Sequence, residues 1–428
     1  MNRTMVGLLA SGFLAVGAGA GAGELGGVTM HGFLSTGYVR TTENELFFAR
    51  TTEGTFEFTD AAISFSTEPV PRLRIGAQLF AQDLGSGGNH RVLVDWAVGD
   101  YRVRDWFGAR GGKLKFPLGL YGTLRDADIG RPEIFQPEAV YSDLLKDLVR
   151  SFDGAAVYGS VQAGGAGYVD YEVFGGAVDA DESVAGERLA EVGLPSLTAA
   201  LAAAGLQQPR ASAEPLDATM EHMWGGALEY RPPVQGLRLR FSGWTHDSNL
   251  ASRASVTGYL GPLPATFLID TSTDIKHHYW VFASAEYQRG GLRVSAEQAW
   301  QKLTQTTTIS GLPSGPVASA PQVTRPVGWY VQVAQRLDDK LQLSAYYSRY
   351  YSDGDDKDGS DLVATGSEAF RRWDKDLGLT ARLDLAGHFL LKAEFHTVDG
   401  AARLGFPENA EGLAQNWKLF AVKGTFHF

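Results

Sequence analysis

Leu377-Gly378-Leu379-Thr380-Ala381-Arg382-Leu383-Asp384 carries an apolar residue at every second position. After a tight Leu385-Ala386-Gly387 turn, Phe389-Leu390-Leu391-Lys392-Ala393-Glu394-Phe395-His396 does the same. A period of two belongs to a strand whose two faces meet different surroundings. About sixteen such runs follow one another, with no convincing helix before the middle of the chain. They fall near 28–41, 53–67, 71–83, 91–103, 106–116, 152–163, 167–178 and 220–231. The rest fall near 236–248, 276–289, 291–308, 324–337, 340–352, 370–384, 388–399 and 415–428.

The connections sort by length. Glu68-Pro69-Val70-Pro71, Gly164-Gly165-Ala166, Pro232-Pro233-Val234-Gln235, Arg289-Gly290-Gly291 and Asp338-Asp339-Lys340 are tight and rich in turn residues. Between them lie longer polar segments at 42–52, 117–151, 179–219, 249–275, 309–323, 353–369 and 400–414. Short links follow even strands and long links follow odd ones. A soluble sandwich with one polar face in water has no reason to sort its loops this way. A closed barrel in a bilayer does, with short periplasmic turns and long extracellular loops.

On that reading the apolar faces meet lipid: Val92, Val94, Trp96 and Val98; Trp224, Leu228 and Tyr230; Tyr279, Val281, Ala283 and Tyr287; Trp329, Val331 and Val333; Leu377, Leu379 and Leu383. The opposite faces hold Asp95, Glu229, Arg231, Arg238, Arg240, Glu286, Arg293, Glu297, Arg336, Arg382, Lys392 and Glu394. An Arg or Lys at the lipid midplane costs ~2–4 kcal/mol, so these charges point inward. The expected fold is an all-β transmembrane antiparallel barrel of about sixteen strands, wide enough for a watery lumen.

The first residues fit export. Met1-Asn2-Arg3, an apolar stretch from about Met5 to Ala18 and Ala20-Gly21-Ala22 read as a signal peptide over 1–22, leaving one barrel domain over 23–428. A membrane-spanning helix needs ~20 apolar residues, which this stretch lacks. The chain has no cysteine, so none is present to carry a lipid or form a disulfide. A formal charge of −11 without a basic face or tail argues against nucleic acid, and tilts a channel faintly toward cations.

An open lumen of that width calls for a constriction. The insert 117–151 is the candidate because it mixes Leu120, Ile129, Ile134 and Phe135 with Arg125, Asp126, Asp128, Arg131, Glu133 and Glu138. Apolar residues would pack a loop against the barrel wall, and charges of both signs in a narrow gap would filter ions. Lys113, Lys115, Arg238, Arg240, Arg293 and Glu297 are the expected pore-wall charges. The plainer alternative is a loop that closes the outer mouth.

Gly112-Lys113-Leu114-Lys115-Phe116-Pro117-Leu118-Gly119-Leu120-Tyr121, then Arg125-Asp126, Arg131-Pro132 and Pro137-Glu138-Ala139-Val140-Tyr141, resemble a block of proteobacterial porin-like outer-membrane proteins. The phosphate-selective porins are a looser comparison, since a basic ladder is not evident in the sequence. The specific match covers about thirty residues. It implies a diffusion pore for small hydrophilic solutes or ions, a homotrimer, and contact with outer-membrane lipid and lipopolysaccharide. The final strand, with Phe420, Phe426 and Phe428 on one face, is similar to the strand by which the barrel assembly machinery recognises its clients.

Two other inserts carry weaker signals. Residues 183–206, inside the loop 179–219, suggest one or two short helices broken at Pro195, which would cap the pore or stand as an external loop. Asp356, Asp358 and Asp361 give 353–361 the oxygen density for calcium but not the EF-hand spacing, and a solvated acidic loop is the plainer reading. No cofactor is implied. A membrane-embedded lipase or protease would need a nucleophile beside a base, and none of His246, His277, His278, His388 or His396 sits in such a motif. A loop-based adhesin or receptor is the third class.

Overall fold

The computed structural model describes residues 23–25, 27–46, 49–85, 87–142, 146, 149–179, 194–214, 217–312, 315–404, 407–409 and 412–428. The expected signal peptide, 1–22, lies outside them. Sixteen antiparallel strands make one closed sheet. They are β1 (Val28–Thr41), β2 (Phe58–Val70), β3 (Leu73–Leu84), β4 (Gly87–Arg104), β5 (Phe107–Lys115), β6 (Ser151–Gln162), β7 (Tyr168–Asp179) and β8 (Asp217–Arg231). Then come β9 (Leu237–Leu260), β10 (Leu263–Arg289), β11 (Leu292–Ser310), β12 (Val327–Arg336), β13 (Leu341–Tyr351), β14 (Trp373–Ala386), β15 (Phe389–Gly400) and β16 (Asn416–His427).

Each strand pairs with its neighbours in the chain, and β1 pairs with β16 from Phe33↔His427 to Thr41↔Leu419. Gly32 and Phe428 complete the seam with backbone bonds of 3.1 and 3.0 Å. Closure pairs the first strand with the last, so the sheet has no open end, as hydrocarbon requires. Among the described residues no helix is long and apolar enough to cross a membrane.

The two faces are inverted relative to a water-soluble protein. Outward Trp224 and Phe241 are 65% and 57% exposed, whereas inward Lys392 and Glu394 are 0% and 1% exposed. Large apolar residues left bare while charges are buried describe a surface meant for lipid.

Three expectations change. Trp96 and Val98 face the lumen rather than lipid. Leu79 pairs with Val94 and Gln78 with Trp96, so Asp95 is an extra residue between them, and this bulge reverses the parity of the strand beyond it. The segment 249–275 is not a loop: β9 and β10 run to Leu260 and from Leu263, with a two-residue turn. At 24 and 27 residues these strands exceed the ~9–11 that cross hydrocarbon, so the hairpin stands out of the membrane. Beyond the bilayer neither face must be apolar, so Ser248–Ser255 lacks the alternation that marks a spanning strand. Finally, the link after β3 has two residues, so one odd-strand connection is as short as the turns on the other side.

The described part of 183–206 contains one helix, α1 (Leu194–Ala203), with Pro195 in its first turn, where a missing N–H is tolerated. Leu201 and Leu206 pack on Ala254, Val256 and Ile269 of the projecting hairpin. Residues 183–193 lie outside the described part.

Candidate functional site: the segment that crosses the lumen

Lys115 ends β5, and the chain from Phe116 to Tyr141 turns into the barrel instead of outward. Most of its residues are buried, while Thr123, Leu124 and Gly130 are exposed, as is Ile129, one of the apolar residues expected to pack against the wall. Its first part is held by aromatic packing. The Phe116 ring lies 4.9 Å from Phe152, 6.2 Å from Phe174 and 4.6 Å from Trp244, centroid to centroid. Leu118 and Leu120 extend the same cluster toward Trp280 and Phe282. One side of the lumen is therefore apolar and filled, which the alternation of the strands alone does not reveal.

The segment then bonds to the walls with its backbone. Gly119 N–H donates to Ser242 Oγ at 2.9 Å, and Leu120 N–H donates to Glu297 Oε2 at 2.8 Å. The Tyr121 hydroxyl donates to Glu286 Oε2 at 2.5 Å. Tyr141 and Tyr330 hydroxyls both donate to Glu297 Oε1, at 2.6 and 2.7 Å. Further along, Lys392 Nζ donates to Asp128 Oδ1 at 2.9 Å and to the carbonyls of Asp128 and Glu133 at 2.7 and 2.9 Å. Ile134 and Phe135 N–H groups donate to the two oxygens of Glu394, at 2.5 and 3.2 Å. Arg382 donates to the carbonyls of Ile129 and Arg131 at 2.7 and 3.1 Å.

Lys392 and Glu394 belong to β15, six strands from β5 by the shorter way round the barrel. The segment thus crosses the lumen from wall to wall. Two glycines permit the close approach. Gly119 has φ +59°, and a Cβ there would lie 2.2 Å from the Tyr141 hydroxyl. A Cβ on Gly328 of β12 would lie 1.8 Å from the Ala139 carbonyl oxygen.

The six charges expected in this segment are gathered here, but they are tied down. Asp126 pairs with Lys115 and, at 2.7 Å, with Lys146. Burial raises its carboxyl pKa, yet Lys115, Lys146 and Arg150 outweigh that and hold it well below the usual carboxylate range. Asp128 is likewise held low, with Lys392 and Lys423 overcoming burial. Glu133 shifts the other way, because burial dominates the pull of Arg131 and the hydrogen bond from Gln332. Its Oε2 accepts from Gln332 Nε2 at 2.9 Å. Glu138 pairs with Arg403 at 2.9 Å. Arg125 donates to the Ser142 carbonyl at 2.6 Å, and Arg131 is buried beside Pro132.

Of the expected wall charges, Lys115 bridges Asp95 and Asp126, Arg238 pairs with Glu286 at 2.9 Å, and Arg240 donates to the Pro117 carbonyl at 2.7 Å. Glu297 is the acceptor described above. Lys113 and Arg293 border open space. That space is on the short-turn side of the segment: one hollow of about 850 Å³ and one of about 650 Å³. Their walls carry Arg74, Arg110, Lys113, Lys115, Arg231, Arg238 and Arg293 against Asp100, Asp126 and Glu286. Seven cations face three carboxylates, the reverse of the chain's overall charge.

The tyrosines that bind Glu286 and Glu297, and the roles of Lys392 and Glu394, were not assigned from sequence. One signal was available. Val281-Phe282-Ala283 is apolar on both faces in a strand with only one face in lipid, opposite an insert that begins Phe116-Pro117-Leu118.

Of the calcium candidates Asp356, Asp358 and Asp361, the first is engaged by protein donors. Asp356 Oδ2 accepts from Arg372 Nε at 2.8 Å while Oδ1 accepts from Ser360 and Asp361, and these bonds offset burial to keep its pKa low. Among the described residues no group of three acidic or histidine side chains is placed to hold a metal.

No family model and no curated protein matches the sequence. Solved structures do. OmpT of Vibrio cholerae, expressed in the outer membrane, aligns with a TM-score of 0.50 at 11% identity, over 95% of this chain and all of that one. OmpF of Salmonella typhi, solved with daunomycin, gives 0.50 at 11% identity over 94% and 97% of the two chains. The fold is that of the outer-membrane porins. With its lipid-facing belt, that fold places the chain in the bacterial outer membrane. An anion-selective porin from Comamonas acidovorans aligns over 94% of this chain at 13% identity, with a TM-score of 0.47.

Proposed function

We propose that the protein is a porin: a passive, water-filled channel for small hydrophilic solutes and ions, narrowed by residues 116–141. The observation that carries this reading is the wall-to-wall segment beside open, charge-lined hollows. A fixed crossbar restricts a wide lumen without filling it, and charged walls in a narrow aqueous space select among ions. Catalysis is supported less well. His246 pairs with His278, His396 with Asp376 and Glu394, and His388 with a backbone carbonyl, and none of these bonds sets a serine hydroxyl against a histidine. Export by the leader, delivery through the Phe428 strand, assembly as a homotrimer and contact with lipopolysaccharide belong to the same proposal.

Purified protein in a planar bilayer should give discrete conductance steps. The cation excess in the hollows makes the reversal potential in a salt gradient anion-favouring, and Arg293→Glu with Lys113→Glu should move it toward cations. A folded barrel that never conducts removes the proposal. An unmoved reversal potential removes the assignment of the hollows as the ion path.

A further inference from the structure

On the long-loop side of the crossing segment lies a partly open cavity of about 50 Å³. Its sides are apolar, from Phe135, Val398, Trp417 and Leu419. Its polar lining is acidic: Glu45, Glu138, Asp374, Asp376 and Glu408 against Arg403 and His396. Most of these groups are committed. Asp376 accepts from the Tyr346 hydroxyl at 2.7 Å and pairs with His396, whose other nitrogen meets Glu394 at 2.7 Å. Glu138 and Asp374 Oδ2 share Arg403, at 2.9 and 3.1 Å. Glu45 is bonded to Thr51 and Thr52.

Asp374 Oδ1 is not among the committed atoms. The side chain is 2% exposed, lines the cavity, and this oxygen has no hydrogen-bond partner. A buried carboxylate oxygen without a donor is a costly arrangement unless something else supplies one. The net negative lining calls for a cationic donor, and the aromatic sides favour one that carries a short apolar body. Size limits the choice. One water-sized group needs roughly 10–15 Å³ by this measure, so the cavity takes about four non-hydrogen atoms.

We propose that this cavity is a binding site for small primary ammonium ions, the –NH₃⁺ donating to Asp374 Oδ1 and the alkyl part lying between Phe135 and Trp417. The site deepens the channel reading, since the channel would bring such ions to it.

The test is ligand-observed saturation-transfer NMR on the full-length barrel in detergent, with propylammonium chloride as the probe. Saturable transfer is expected from propylammonium and none from propionate. Asp374→Asn should weaken binding about tenfold, the loss of one charge-assisted hydrogen bond. Trp417→Leu should weaken it with the carboxylate retained, and Asp358→Asn, at an exposed acid, should leave it unchanged. Far-UV circular dichroism reports whether each variant folds, and Trp417→Leu carries the test if Asp374→Asn does not. Absence of transfer, or equal transfer in wild type and both cavity variants, overturns the site. Conduction without transfer leaves the channel standing alone. Asp374-dependent transfer without conduction leaves the site standing alone.

Discussion

Lys392→Met is the sharpest probe of the crossing segment, because one buried charge holds two of its turns. Lys392 is fully buried and donates three hydrogen bonds of 2.7–2.9 Å to Asp128 and Glu133. Methionine keeps the unbranched shape of the side chain, one atom shorter, and removes every donor. Asp128, 1% exposed, then retains the Thr425 hydroxyl at 2.7 Å and Lys423 at 3.9 Å. Breaking a buried ion pair on one side costs ~3–5 kcal/mol. Lys423 compensates in part, which puts the loss near the lower end. About 3 kcal/mol shifts the ratio of docked to released segment roughly a hundredfold. The barrel seams do not depend on this lysine, so the protein should still fold and insert. Single-channel recordings of Lys392→Met are expected to show a larger and noisier open state. Adding Asp128→Asn removes the stranded charge and should return part of the quiet behaviour. Recordings indistinguishable from wild type, with unchanged hydrogen-exchange protection over 126–134, would refute the docking argument.

Gly328→Ala should also displace the segment, since its Cβ would meet the Ala139 carbonyl, whereas Gly99→Ala meets nothing within 4 Å and should conduct as wild type. Val331→Arg puts a charge on the outward face, 45% exposed, and should lower folding stability in vesicles by up to ~2–4 kcal/mol, measured by denaturant titration. The segment should survive mild acid. Asp128 has a folded pKa below its ordinary 3.8, so its stabilising contribution is complete above that value and lost only as pH falls through the lower one. In a Glu133→Gln background, which removes the neighbouring carboxyl whose pKa burial raises, conductance steps should therefore hold their size from neutral pH down to about 3.8, and a change near neutrality would show that Asp128 is not the anchor.

Strands inside the bilayer were legible because lipid allows only one arrangement of faces. Leu377–Asp384 and Phe389–His396 fall in β14 and β15 with the expected sides out, and the sixteen-fold count is that of the barrel. Legibility fails where that constraint lapses. Beyond the bilayer, Ser248–Asp274 forms a long hairpin whose sequence reads as loop, because no lipid imposes an apolar face there and only a short stretch, at Ala254, Val256 and Ile269, is covered by the chain itself. At Asp95 a single extra residue reverses the faces, and no composition rule marks where a bulge will sit. Inside the lumen, Trp280 and Phe282 occupy positions that alternation assigns to polar residues, because a second piece of chain covers them.

The same reasoning bears on the charges of the crossing segment. A stretch holding Leu120, Ile134 and Phe135 among charges reads as something that packs and something that conducts. In the fold these are one task. Asp126, Asp128, Glu133 and Glu138 each meet a partner on the wall or the adjoining loops, because a carboxylate taken from water needs one. A charge used to fasten the crossbar is neutralised by its partner and leaves little field for a passing ion. In the proposed channel, selectivity would then fall to side chains beside the crossbar that border the hollows, such as Lys113 and Arg293, whose sequence neighbours give no hint of that position. On the proposed channel reading, the charges on the loop would set the width of the path, and the charges on the wall would set which ions prefer it.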